Sequence, residues 1–113
     1  MNKTTIPAHW RVRRSTPIFT PQSVPTALLH HHNTAAGVMG QLCVLHGHVT
    51  YYGFADEQAS EPEVALTLSA GQFALSPPQY WHRVALSDDA RFSIHFWAAP
   101  DDSATDLYHA RQG

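Results

Sequence analysis

Nine of the 113 residues are histidine, and their spacing is where this chain offers chemistry. In His30-His31-His32, side-chain alternation along an extended segment puts His30 and His32 on one face and His31 on the other. Two imidazoles on one face suit chelation of a single divalent ion. The ordinary alternative is a polar strand end. His82 follows Gly71-Gln72-Phe73-Ala74-Leu75-Ser76-Pro77-Pro78-Gln79-Tyr80-Trp81, which reads as a turn glycine, a short apolar strand and a proline-ended loop. It shares a strand face with Val84 and Leu86 and so points inward, either as a packed core histidine or as a ligand. His95 alternates with Phe92, Ile94 and Phe96. If those apolar side chains face out, His95 looks into the interior; if they face in, it lies at the surface. His46 and His48 flank Gly47 and read as exposed turn residues, and His9 and His109 fall in terminal segments.

The remaining residues narrow the chemistry. Charged residues make up only 14% of the chain, so histidine supplies polarity that Lys and Glu usually supply, and it does so near its own pKa. Cys43 is the single cysteine, which excludes an internal disulfide, and its place in Leu42-Cys43-Val44-Leu45 reads as a small buried hydrophobe. No Gly-x-Ser-x-Gly elbow or phosphate loop is present. Glu57, Glu61 and Glu63 lie in or beside a polar loop and read as solvated, so no general base other than histidine stands out. Seven Lys and Arg against nine Asp and Glu give a net charge of −2, which leaves no electrostatic footprint for nucleic acid. Arg11, Arg13 and Arg14 read as a solvated N-terminal segment. No apolar run approaches the roughly 20 residues of a membrane span. Charges and prolines in residues 1–25 leave no secretory segment, so a soluble, cytoplasmic chain is expected.

The elements that must position these histidines are short. Pro7, Pro17, Pro21 and Pro25 rule out a long helix at the start. Val24 to His32 reads as a first strand. Val38 to His46 and His48 to Phe54 read as two strands joined in a tight hairpin at Gly47. After the polar loop 55–62 come Glu63 to Leu68, Gln72 to Ser76, Trp81 to Leu86 and Arg91 to Trp97. The tail after Pro100 is read either as a short helix capped by Asp102 or Ser103 or as disordered chain. Seven or eight strands in 113 residues imply one all-β domain over residues 1–113, a small sandwich or barrel. Its core covers about residues 14–99.

The spacing Gly71-x5-Pro77-x4-His82 resembles the second motif of the cupin superfamily, with Gln79 where that motif has an inner glycine and without its later asparagine. The first cupin motif survives in part: His30-x-His32 and Gly47 are present, the spacer is stretched, and Gly40 or Gln41 stands where a glutamate is expected. Over about residues 14–99 the chain is more closely similar to the small cupin domain of the tellurite-resistance type, the TehB/YeaR-like family, in its stand-alone form without a methyltransferase. His32-Asn33-Thr34, Val44-Leu45-His46-Gly47, Pro78-Gln79-Tyr80-Trp81-His82-Arg83-Val84 and Leu86-Ser87-Asp88-Asp89 carry that likeness.

The resemblance implies a jelly-roll or double-stranded β-helix. It also implies a metal site at His32 and His82, then His30, then His95, the last two at positions where relatives carry acidic residues. Imidazole in place of carboxylate favours Zn, Ni, Fe or Cu over Mg or Ca. Phe73, Tyr80, Trp81 and Trp97 are expected to wall the pocket. Three readings follow: a metal-binding protein handling a small molecule or oxyanion, a non-catalytic binding module or sensor, and a structural homodimer whose histidines serve polarity. A homodimer is expected in any case, since strand edges of small barrels are often covered by a twin. The residues name no reaction.

Overall fold

Glycine 47 sets the central crossing of the chain. Its φ of +69° lies in the left-handed region, and a Cβ there would come within 2.9 Å of the Ala90 Cα, so only glycine fits. It links β3 (Val38–His46) to β4 (His48–Phe54) in a computed structural model that describes residues 5–100. The two strands do not pair with each other. One residue is shorter than the two-residue loop of the tightest common hairpin, and the chain instead turns the corner from one sheet into the other. The hairpin expected at Gly47 is therefore corrected to a crossing between sheets.

Among the described residues, eight strands form two four-stranded sheets. The first has the order β1 (Arg11–Ser15), β8 (Arg91–Ala98), β3, β6 (Phe73–Ser76); the second has the order β2 (His32–Asn33), β7 (Trp81–Leu86), β4, β5 (Val64–Ser69). Every pairing is antiparallel. Between the sheets lie Leu42, Val44, Ala74, Phe92 and Ile94 from one side and Val49, Tyr51, Leu68 and Val84 from the other. Each large apolar side chain among them contributes roughly 1.5–3 kcal/mol by leaving water. The all-β class and the strand number agree with the sequence pattern. Among the described residues no helix is long and apolar enough to cross a membrane.

Two N-terminal segments differ from expectation. Val24 to His32 is not one strand. It contains a 3-10 turn over Thr26–Leu29, followed by the two-residue β2. Pro25 has no N–H to give a ladder, and its carbonyl instead accepts from Leu28 N at 3.0 Å, which tucks Leu28 against the core. Conversely, Arg11–Ser15 is a strand although all five residues are exposed. An edge strand that buries nothing has no apolar alternation to read. The tail beyond residue 100, including the helix considered there and His109, lies outside the described residues.

Candidate functional site

The β2–β7 ladder sets His32 directly opposite His82. Their rings lie 4.1 Å apart, centroid to centroid, at 61°. Each ring is pinned in the same way: His32 Nδ1 lies 3.0 Å from the His30 carbonyl oxygen, and His82 Nδ1 lies 2.8 Å from that of Tyr80. A carbonyl only accepts, so both Nδ1 atoms carry the hydrogen. A neutral imidazole then has its lone pair on Nε2. Neither Nε2 has a hydrogen-bond partner among the described residues, and no unpartnered side-chain nitrogen or oxygen is sealed from solvent there, so these lone pairs open onto free space.

Electrostatics keep the pair neutral. Burial, assisted by the neighbouring His32, pulls His82 down to about 4 against the opposing bond to the Tyr80 carbonyl. Burial likewise lowers His32 below the ordinary imidazole value. Beside them Tyr51 stacks on the His82 ring at 5.4 Å and shares a buried 2.7 Å hydrogen bond with Ser76 Oγ. Burial raises the Tyr51 phenol to about 12, so it remains a hydroxyl at neutral pH.

The turn from β6 into β7 delivers His82. Gln79 sits at a φ of +62°, the left-handed conformation that glycine adopts without strain. Its N–H donates to the Thr34 carbonyl at 2.7 Å, tying the turn to the residue after β2. Tyr80 then packs against Gly53: a Cβ at residue 53 would fall 2.5 Å from the Tyr80 ring. The Tyr80 hydroxyl donates to Glu63 Oε2 at 2.6 Å.

His32, His82, Tyr51 and Ser76 form the polar end of a cavity of about 220 Å³ between the sheets. Its remaining wall is largely apolar, with Phe19, Leu28, Leu42, Ile94 and Phe96, and Arg14 also lines it. Gly40 lines the cavity as well, whereas Gln41, the other residue placed near the expected glutamate, accepts a bond from Trp97 Nε1.

Of the histidines expected to converge, the fold brings together His32 and His82. His30 is exposed and does not line the cavity; it contributes its backbone carbonyl to His32 rather than its ring. His31 stacks on Phe54 with 3.9 Å between centroids and bonds the Ala59 carbonyl. His95 does not reach the cavity, because Phe92 and Ile94 face the core, and alternation sends His95 outward to Ser15 Oγ at 2.6 Å. Among the described residues no three His, Cys, Asp or Glu side chains converge.

The expected aromatic wall is also replaced. Phe73 is 52% exposed, Tyr80 and Trp97 are held by Glu63 and Gln41, and Trp81 alternates with the inward His82. None of these four lines the cavity. Parity explains Phe73, Trp81 and Trp97, whereas Tyr80 lies in the turn before β7 and is turned away by its bond to Glu63. Ala74 and Ser76 face inward on β6, and Phe92 and Ile94 do so on β8. Tyr51 and Ser76 were legible in principle, as the inward partners of Val49 and Ala74. Phe19, Leu28 and Arg14 lie in segments with no periodic signal.

A family model described as the TehB-like domain matches residues 14–94. The uncharacterized protein YeaR of Escherichia coli (strain K12) is 41% identical over 100 residues, 85% of this chain and 84% of the relative. A crystal structure of an Escherichia coli K12 protein superposes with a TM-score of 0.83 at 38% identity, covering 87% of this chain and 99% of that one. The crystal structure of TehB from Haemophilus influenzae superposes with a TM-score of 0.79 at 26% identity, covering 90% of this chain and 36% of that longer one.

Proposed function

The chain belongs to the TehB-like family, and on that footing we propose that it is a cupin-type metal-binding protein that holds a small molecule between its sheets. His32 Nε2 and His82 Nε2 would be the protein donors for one divalent transition ion, Zn, Ni, Fe or Cu. The observation that carries this reading is the pair of facing imidazoles with both Nδ1 atoms bound to backbone carbonyls. Metal-binding histidines commonly donate their other N–H in this way, which fixes the tautomer. The donor set fits the metal class, since neutral imidazole suits these ions better than Mg or Ca. When bound, such an ion supplies a Lewis-acid centre for an oxygen-bearing ligand.

The chain's own residues do the rest. The two carbonyls orient the imidazoles, the apolar wall offers a surface to the body of a bound molecule, and the Tyr51 hydroxyl stands beside His82 as a neutral hydrogen-bonding group. Two protein donors leave the other coordination positions to solvent or ligand.

Two observations favour binding or sensing over turnover: among the described residues no carboxylate lines the cavity, and Tyr51 is held far above the range of a general base. A link to tellurite resistance or another stress follows from the family likeness, and association with a second copy remains part of the proposal. Metal analysis of tag-free protein tests the reading. His32→Ala and His82→Ala are expected to lose the ion, and His95→Ala to keep it. Less than about 0.1 equivalent per chain after reconstitution would overturn it.

A further inference from the structure

A β-bulge decides what else the cavity holds. Along β1, Arg11 opposes Ala98 and Val12 opposes Trp97, but the register then slips, so that Arg14 opposes Phe96 and Ser15 opposes His95. Without the slip Arg14 would oppose His95 and share its outward face. Bulges re-aim side chains in this way and cluster beside functional sites. Here the extra residue, Arg13, brings Arg14 into register with the cavity-lining Phe96.

The Arg14 guanidinium lies 4.9 Å from the centroid of the Phe96 ring, and among the described residues it pairs with no carboxylate. Thr16 beside it is already engaged: its hydroxyl donates to the Pro17 carbonyl and accepts from Ile94 N. Among the described residues the cavity lining therefore carries one fixed positive charge at Arg14, no carboxylate to balance it, and a largely apolar remainder beside the two histidines.

We propose that the cavity binds a small organic monocarboxylate, its carboxylate on Arg14 and its apolar body against Phe19, Leu28, Ile94 and Phe96. A planar guanidinium matches a carboxylate with two parallel N–H donors. An inorganic oxyanion would meet the charge but leave the apolar wall uncovered. A neutral apolar molecule would cover the wall and leave the guanidinium without an anion. The volume of about 220 Å³ is below the common range for drug-sized ligands, which points to a ligand of roughly ten non-hydrogen atoms or fewer. The proposal rests on reading the cavity as the ligand site. It does not require the metal.

The test is a calorimetric titration of the full chain, metal-free and zinc-loaded, with benzoate, benzamide and tellurite as probes. Zinc content is measured on the same samples. Benzoate is expected to bind at least about tenfold more tightly than benzamide or tellurite, the size of one charge-assisted hydrogen-bonded contact. Arg14→Gln should abolish that preference, and Arg14→Lys should keep part of it. Both variants are checked by thermal melting, and the exposed position predicts unchanged folding. Metal-free His46→Ala, at a surface residue outside the cavity, should bind benzoate within about threefold of wild type. Equal affinity for benzoate and benzamide, or full benzoate affinity in Arg14→Gln, overturns the proposal. So does benzoate binding that appears only with zinc and vanishes in His82→Ala; that result would place the anion on the metal and leave the metal reading intact. Protein that takes up no zinc on reconstitution yet still prefers benzoate through Arg14 upholds this proposal while removing the metal reading.

Discussion

The molecule carries two histidine sites that use the same side chain in opposite ways. His32 and His82 face each other between the sheets, pinned by carbonyls, with pKa values pulled down by burial. His46 stands outside, 3.6 Å from Asp89, with both side chains more than 60% exposed. There a Ser87 hydroxyl does more than the neighbouring histidines to hold the Asp89 carboxyl below its ordinary value. The outer pair is a solvated surface contact of the kind that contributes little. The inner pair gives up solvation to keep two lone pairs available at neutral pH. Burial and tautomer, rather than histidine content, separate a candidate ligand site from surface polarity.

The largest expected difference between the two sites is in metal affinity. His32→Ala or His82→Ala should weaken zinc binding by about 100-fold or more, since each removes one of two protein donors. His46→Ala should leave it unchanged. Competition with a chromophoric chelator measures both. Equal losses at the two sites would erase the distinction.

A pH titration of metal-free stability sharpens the comparison next. Below the ordinary imidazole value of 6.5, the unfolded chain takes up a proton that folded His82, held at about 4, does not. The His82 contribution is therefore complete above pH 6.5, is lost progressively as the pH falls toward 4, and changes no further below that. The size is about 3 kcal/mol. Urea melts between pH 7 and 4 should show this slope in wild type and a shallower one in His82→Gln. The same slope in both would place the proton uptake elsewhere.

Smaller effects test the turn that delivers His82. Gly53→Ala forces its new methyl into the Tyr80 ring and is expected to cost about 1–3 kcal/mol, as overpacking does. It should also disturb the His82 ring, seen as a shifted imidazole NMR signal. Gln79→Gly relieves a left-handed backbone and is expected to be neutral or stabilising by up to about 1 kcal/mol. A loss of stability there would mean that the Gln79 side chain is needed for more than its backbone shape.

How far the sequence could be read follows from which side chains are buried. Val38–His46 and His48–Phe54 were legible as strands from their apolar, β-prone runs, and Trp81–Leu86 was legible because one of its faces packs in the core. The inward direction of His82 came with it, through Val84 and Leu86. On Arg91–Ala98 the same alternation left two choices for His95, and only the partner strands settle that Phe92 and Ile94 face in. Pairing was less legible than strand position. Gly47 looks like a hairpin residue, yet it joins two sheets, because a local turn signal does not say which strand lies alongside. Arg14 was not legible at all, since a one-residue bulge in an exposed strand leaves no mark on the pattern while reversing which face a side chain meets.

The central claim is that His32 and His82 together hold a metal ion. Its most direct test is the zinc, nickel, iron and copper content of tag-free wild-type protein beside the His32→Ala/His82→Ala double variant, before and after reconstitution. About one equivalent of one of these ions in wild type and none in the double variant is the expected result. Equal content in the two proteins, or less than about 0.1 equivalent in reconstituted wild type, would contradict it.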